Sequence, residues 1–264
     1  MAEVDLDELY DSILDGEQGA IKKTVTALLD LWNDDDFESV EIFAEETLTE
    51  DVPKKFISKI LALSDEHLEF VEDFVASIDG KPIVDKGDFP TLMEFTKSSR
   101  ESDNEEFNAS RSGRASVAMN PECPPELLLK LAKDEKWEIR YRVALNPSAT
   151  SDILNSLLSG SYEKGYEDLA EFIEATVALH KNTSSSTLEK LASSENEVIR
   201  TAVACNPNAP SEIVQKAKSL GVNLDSISPS KKKSSQPAFR DTRLCWWFGD
   251  SEWTLADLEN LQLQ

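Results

Sequence analysis

The pentapeptide Val-Ala-x-Asn-Pro occurs three times in this chain, as Val117-Ala118-Met119-Asn120-Pro121, Val143-Ala144-Leu145-Asn146-Pro147 and Val203-Ala204-Cys205-Asn206-Pro207. A degenerate fourth copy, Val177-Ala178-Leu179-His180-Lys181, falls in register with them. Successive copies start 26, 34 and 26 residues apart. Self-similarity at such a period restricts a chain to a repeat architecture, because a unit this short cannot bury its apolar face alone and must use its neighbours. It also directs the functional reading towards surfaces and partners.

The composition of one copy predicts two short helices. Ile139 and Val143 are four apart, as are Ile199 and Val203, so each pair shares a helical face. The small Ala at 118, 144, 178 and 204 allows close approach of a neighbour. Asn before Pro ends the helix, because Pro disfavours α geometry in the residue before it and Asn tolerates left-handed backbone. A second helix carries Leu128 and Leu131, then Leu154 and Leu157, Leu188 and Leu191, and Val214 and Ala217 at matched positions. Pro124, Ser151, Ser184 and Pro210 are its expected starts. The longer interval holds a Gly/Ser-rich insertion at 159–166. There Tyr162 and Tyr166 belong either to a tolerated surface loop or to a contact loop. Arg114, Arg140 and Arg200 precede the repeat Val by three, and Glu174 takes that place in the third copy. Such a ladder suits pairing with carboxylates and helix C-termini inside the stack better than phosphate binding, since one rung reverses sign.

These units resemble the leucine-rich-repeat variant family, whose pattern is matched by Ile139-Arg140-Tyr141-Arg142-Val143-Ala144-Leu145-Asn146-Pro147. It is matched again by Asn120-Pro121-Glu122-Cys123-Pro124 running on to Leu128 and Leu131-Ala132-Lys133-Asp134. The resemblance covers 111–219 and implies a right-handed superhelix of alternating α and shorter, 3₁₀-like helices. A period of 26 is slightly long for that family, so the short helix is expected to approach the full α-helix of HEAT-type repeats. The family's founding type resembles a protein with an iron–sulfur cluster on N-terminal cysteines. This chain has no Cys before Cys123, so a cluster is not carried over.

Charge divides the chain differently. Of a net −24, residues 1–110 hold 30 acidic and 9 basic side chains, and the remainder is nearly balanced. Helical periodicity runs through the acidic part, in stretches around Leu6–Ile13, Ile21–Trp32, Val40–Leu48, Phe56–Leu63, Leu68–Ile78 (with Ser64 as its expected N-cap) and Leu92–Phe95. The expected organisation is an acidic helical domain at 1–98, a linker at 99–110, a repeat solenoid at 111–219, a Ser/Pro/Lys linker at 220–240 and an aromatic cap or docking motif at 241–264. The expected fold class is all-α, with short two-helix repeats stacked as a right-handed solenoid. A localised acidic field attracts basic surfaces and repels nucleic acid. The Asp34-Asp35-Asp36 run lacks the alternating carboxylates and Gly of a calcium loop and reads as a solvated helix terminus. The last segment concentrates Trp246, Trp247, Phe248 and Trp253, side chains that favour either a cap for the repeats or a protein contact.

The residues of catalysis are missing as patterns. His67 and His180 have no metal-ligand spacing, and the sequence offers no phosphate loop, no nucleophile elbow and no cofactor motif. Three scattered Cys, odd in number, suit a reducing compartment. No run approaches membrane-span length, and the acidic N-terminus is unlike a signal peptide. The expectation is a cytoplasmic, non-catalytic scaffold or adaptor with a protein partner, for which the acidic field favours a basic one, and no cofactor. An acidic inhibitor that imitates nucleic acid is the first alternative, and a HEAT-like repeat enzyme such as a lyase is the second.

Overall fold

The structure is a computed structural model that describes residues 5–49, 51–78, 81–98, 109–159 and 167–222. Among these residues lie fourteen α-helices, one 3₁₀ turn and no strand, so the protein is all-α. The chain divides into two compact units, Met1–Pro124 and Pro125–Gln264.

The first unit comprises α1 (Leu6–Leu14), α2 (Ala20–Asn33), α3 (Phe37–Thr47), α4 (Lys54–Leu61), α5 (Leu68–Ser77), α6 (Phe89–Ser98) and α7 (Ala109–Met119). Its helix starts follow local chemistry. The carboxylates of Asp5 and Asp36 accept the backbone N–H groups of Glu8 and Ser39, so each caps its own helix. Gly16 and Gly19 turn the chain between α1 and α2 at φ of 70° and 85°, a region that costs Gly little. The N-cap of α5 is His67 rather than Ser64. Ser64 instead donates its N–H to Leu61 O in the turns that unwind α4, and the chain leaves helical geometry only at His67. The core is aromatic: Phe43, Phe56, Phe70, Phe74 and Phe89 are buried with Leu28, Ile60 and Leu92. Edge-on contacts link Tyr10, Phe43, Phe56 and Phe74 at centroid separations of 6.2–6.3 Å. Burial of each ring stabilises the fold by about 1.5–3 kcal/mol. Helix α7 lies against both α5 and α6. Its Gly113 makes this possible, because a Cβ there would sit 2.7 Å from Thr96 Cγ2 and 3.1 Å from Leu92 Cδ1.

The second unit comprises α8 (Pro125–Leu131), α9 (Trp137–Leu145), α10 (Ser151–Leu157), α11 (Glu167–Leu179), α12 (Ser185–Leu191), α13 (Glu197–Cys205) and α14 (Ser211–Ser219). Both helices of each copy are α-helical. Helix α11 packs against α9 on one side and α13 on the other, and α12 fits against α11 and α13. The repeat valines are sealed completely: Val143, Val177 and Val203 expose nothing, as does Val117 in the first unit. Leu128, Leu154 and Leu188 are equally buried. Ser184 caps α12 through its hydroxyl, which accepts the Thr187 N–H at 3.2 Å.

Candidate functional site

The repeat Asn residues end their helices and also join adjacent segments. Asn206 donates its amide N–H groups to Ala178 O at 2.7 Å and His180 O at 2.9 Å, while its Oδ1 accepts the N–H of Asn208 at 2.8 Å. Asn120 repeats the device in the first unit, donating to Pro82 O and Val84 O and accepting from Glu122 N. Asn146 Oδ1 likewise accepts from Ser148 N. At Asn120 and Asn206 one buried side chain satisfies two carbonyls spaced two residues apart and its own turn. Pro121, Pro147 and Pro207 are exposed beyond these turns.

The degenerate copy keeps the geometry with a different side chain. His180 Nδ1 accepts the N–H of Asn182 at 3.1 Å, and Nε2 faces Asn146 O at 3.0 Å. Only the neutral tautomer protonated on Nε2 makes both bonds. Burial holds the imidazole below its usual pKa, against the raising effect of the Asn146 carbonyl and with a smaller lowering from Lys181. Asn182 adds a bond to Ala149 O at 2.9 Å.

The arginine ladder also faces inward. Arg140 Nη1 donates to Asp134 O and Glu135 O, and Arg200 Nη1 donates to Ser194 O and Glu195 O at 2.7 and 2.8 Å. Both guanidinium groups hold carbonyls of the turn that leads into their own helix. Arg114 donates to Ser110 Oγ. At the third rung, burial and then Glu171 raise the Glu174 carboxyl above its ordinary range. Cys123 is buried, and its thiol is pushed up to about 12 by that burial.

The side chains singled out for partner contact, Tyr162, Tyr166, Trp246, Trp247, Phe248 and Trp253, lie outside the described residues. The structure brings forward two aromatic groups that pattern reading missed. In the second unit Tyr141 and Phe172 meet in a tilted contact with centroids 4.4 Å apart, and Trp137 meets Phe172 edge-on at 6.5 Å. Tyr141 follows Trp137 by one helical turn, the only local signal for the group. In the first unit Trp32 meets Phe37 at 4.6 Å and Phe70 at 5.6 Å. The Asp34–Asp36 run between Trp32 and Phe37 is a compact connection: Asp34 ends α2, Asp35 takes φ of 64°, and Asp36 starts α3.

A shallow, acidic depression of about 470 Å³ is lined by Asp7, Asp11, Asp15 and Glu17, with Lys23. Among the described residues no group of three or more His, Cys, Asp or Glu could hold a metal ion. No helix among them is long and apolar enough to cross a membrane. The geometry thus defines an all-helical protein whose polar repeat positions bind its own backbone. Comparison with family models, with curated proteins and with solved structures finds no match to this chain.

Proposed function

We propose that this protein is a non-catalytic, cytoplasmic scaffold or adaptor. In this reading residues 111–219 form a right-handed solenoid of variant leucine-rich or HEAT-like repeats, and the segment 241–264 caps it or docks on a protein partner. The observation that carries the proposal is where the polar repeat residues point. Asn120, Asn146, Arg140, Arg200, Asn206 and His180 all engage main-chain groups of the fold. Residues used in this way hold a surface in shape, and a surface of shaped helices suits protein recognition rather than chemistry. The partly exposed Trp137 and Tyr141 supply aromatic contact area of the kind that dominates protein interfaces.

The test is capture of partners from native lysate by the full chain and by a version ending at Ser219, at low and high salt. A partner that is lost with the tail and resists salt supports the adaptor. Failure of both forms to retain any protein overturns it. A second reading, an acidic inhibitor that occupies a nucleic-acid-binding protein, draws on the crowding of Glu41, Glu69, Glu72 and Asp73 in the first unit. It requires a partner indifferent to the tail and released by salt.

A further inference from the structure

Helices α2, α3 and α5 present an apolar face next to a cluster of carboxylates. Phe37 is 44% exposed, although its ring is in edge contact with Trp32. Trp32 is itself half-buried and rests on Phe70. Glu41 follows Phe37 by one helical turn on α3, and Asp73 follows Phe70 by one turn on α5. The carboxyl of Asp73 is raised to about 6 by partial burial and by Glu41, Glu72 and Glu69 together. Glu72 Oε1 is shut off from solvent without a hydrogen-bond partner. Among the described residues no ion pair reaches any of these four carboxylates. Like charges held this close repel one another, and an incoming cation relieves that repulsion.

The geometry points to this face as a docking surface for a short basic segment of a partner protein, with an apolar side chain anchored on Trp32 and Phe37 and Lys or Arg side chains reaching Glu41, Glu69 and Asp73. Charge complementarity selects the occupant. The face belongs to a stretch with 30 acidic and 9 basic residues, which draws basic chains and repels nucleic acid. The ring pair supplies the register that diffuse charge lacks, since aromatic anchors in partly desolvated settings dominate binding energy. The inference rests on the adaptor reading and names the chemistry of one partner. If it fails while tail-dependent capture succeeds, this site is removed and the adaptor stands.

The experiment uses the full chain and two synthetic peptides of equal charge, one of Lys with Leu at helical spacing and one of Lys with Ser. Affinity is read by calorimetry, and the Trp32 indole N–H resonance by NMR. The Lys/Leu peptide is expected to bind more tightly and to shift the Trp32 signal. Phe37→Ser and the pair Glu41→Gln/Asp73→Asn are each expected to weaken it by roughly tenfold. The pair Asp7→Asn/Asp11→Asn, which removes the same two charges on α1, is expected to leave it unaltered. Thermal melts of each variant verify folding. Equal binding of the two peptides, an unmoved Trp32 resonance, or the same loss from the Asp7/Asp11 pair as from the Glu41/Asp73 pair would each overturn the assignment in favour of diffuse attraction.

Discussion

Single side chains in this protein act by satisfying backbone groups far away in sequence. Asn206 is buried and answers two carbonyls of the previous copy, so Asn206→Ala leaves Ala178 O without this donor, while His180 O keeps the Thr183 N–H. The expected loss is about 1–3 kcal/mol in chemical denaturation. His180 performs part of the same task in a form that titrates. Its folded pKa is depressed, so the unfolded chain takes up the proton first as pH falls through about 6.5. The contribution is therefore complete above that value and is lost as pH drops below it. Protonation of Nδ1 also removes the acceptor for Asn182 N–H. The raised carboxyl of Glu174 works with the opposite sign in the same unit, so the informative quantity is a difference. His180→Asn, which restores the side chain of the intact copies, is expected to flatten the fall in melting temperature between about pH 7 and 5 relative to wild type. An unchanged slope would show that His180 does not report on this bond. The Asn-Pro stop was legible as local chemistry, whereas its acceptors, 26 and 28 residues earlier, were not.

At the level of elements, the helices are legible because their signals are local. Periodic apolar residues, capping Asp and Ser, and Pro at starts mark α1 to α6 and the paired helices of each copy to within a few residues. The boundary before α5 differed because Ser64, a good N-cap by type, was already held in the turns closing α4. Packing between elements depends on small residues whose purpose shows only in three dimensions. A Gly inside α7 reads as a weak point in a helix, and Gly→Ala in an exposed helix is usually stabilising by about 1 kcal/mol. At Gly113 the added methyl meets Thr96, Leu92 and Val75 at 2.7–3.3 Å. Gly113→Ala is therefore expected to destabilise the first unit by about 1–3 kcal/mol, because overpacking outweighs helix propensity. A rise in stability on that substitution would mean that α7 seats more loosely than its contacts indicate.

For the whole molecule, the strongest electrostatic influence is the concentration of negative charge in the first 110 residues. Asp73 feels it through Glu41, Glu72 and Glu69, on top of the larger effect of its own desolvation. Its folded pKa of about 6 lies above the ordinary 3.8, so the folded state carries a penalty at neutral pH that fades as pH falls through that window. Asp73→Asn is expected to raise the melting temperature at pH 7 and to make little difference near pH 4. Added salt is expected to stabilise wild type modestly more than the variant, because screening relieves the repulsion from Glu41, Glu72 and Glu69 but not the desolvation of Asp73. Calorimetry across pH and ionic strength checks both.

The sequence by itself determined an all-helical chain, the register of its four copies and the uneven placement of charge. Those properties follow from periodicity, capping and composition, which act over a few residues. Only the tertiary structure decided that α7 seats between α5 and α6, that Arg140 and Arg200 take the carbonyls of the turn before their own helices, and that Trp32 and Phe37 meet beside Glu41 and Asp73. Those outcomes depend on which surfaces come together once the chain has folded. A residue's type limits what it can bond to, but its partners are set by the packing of elements distant in sequence.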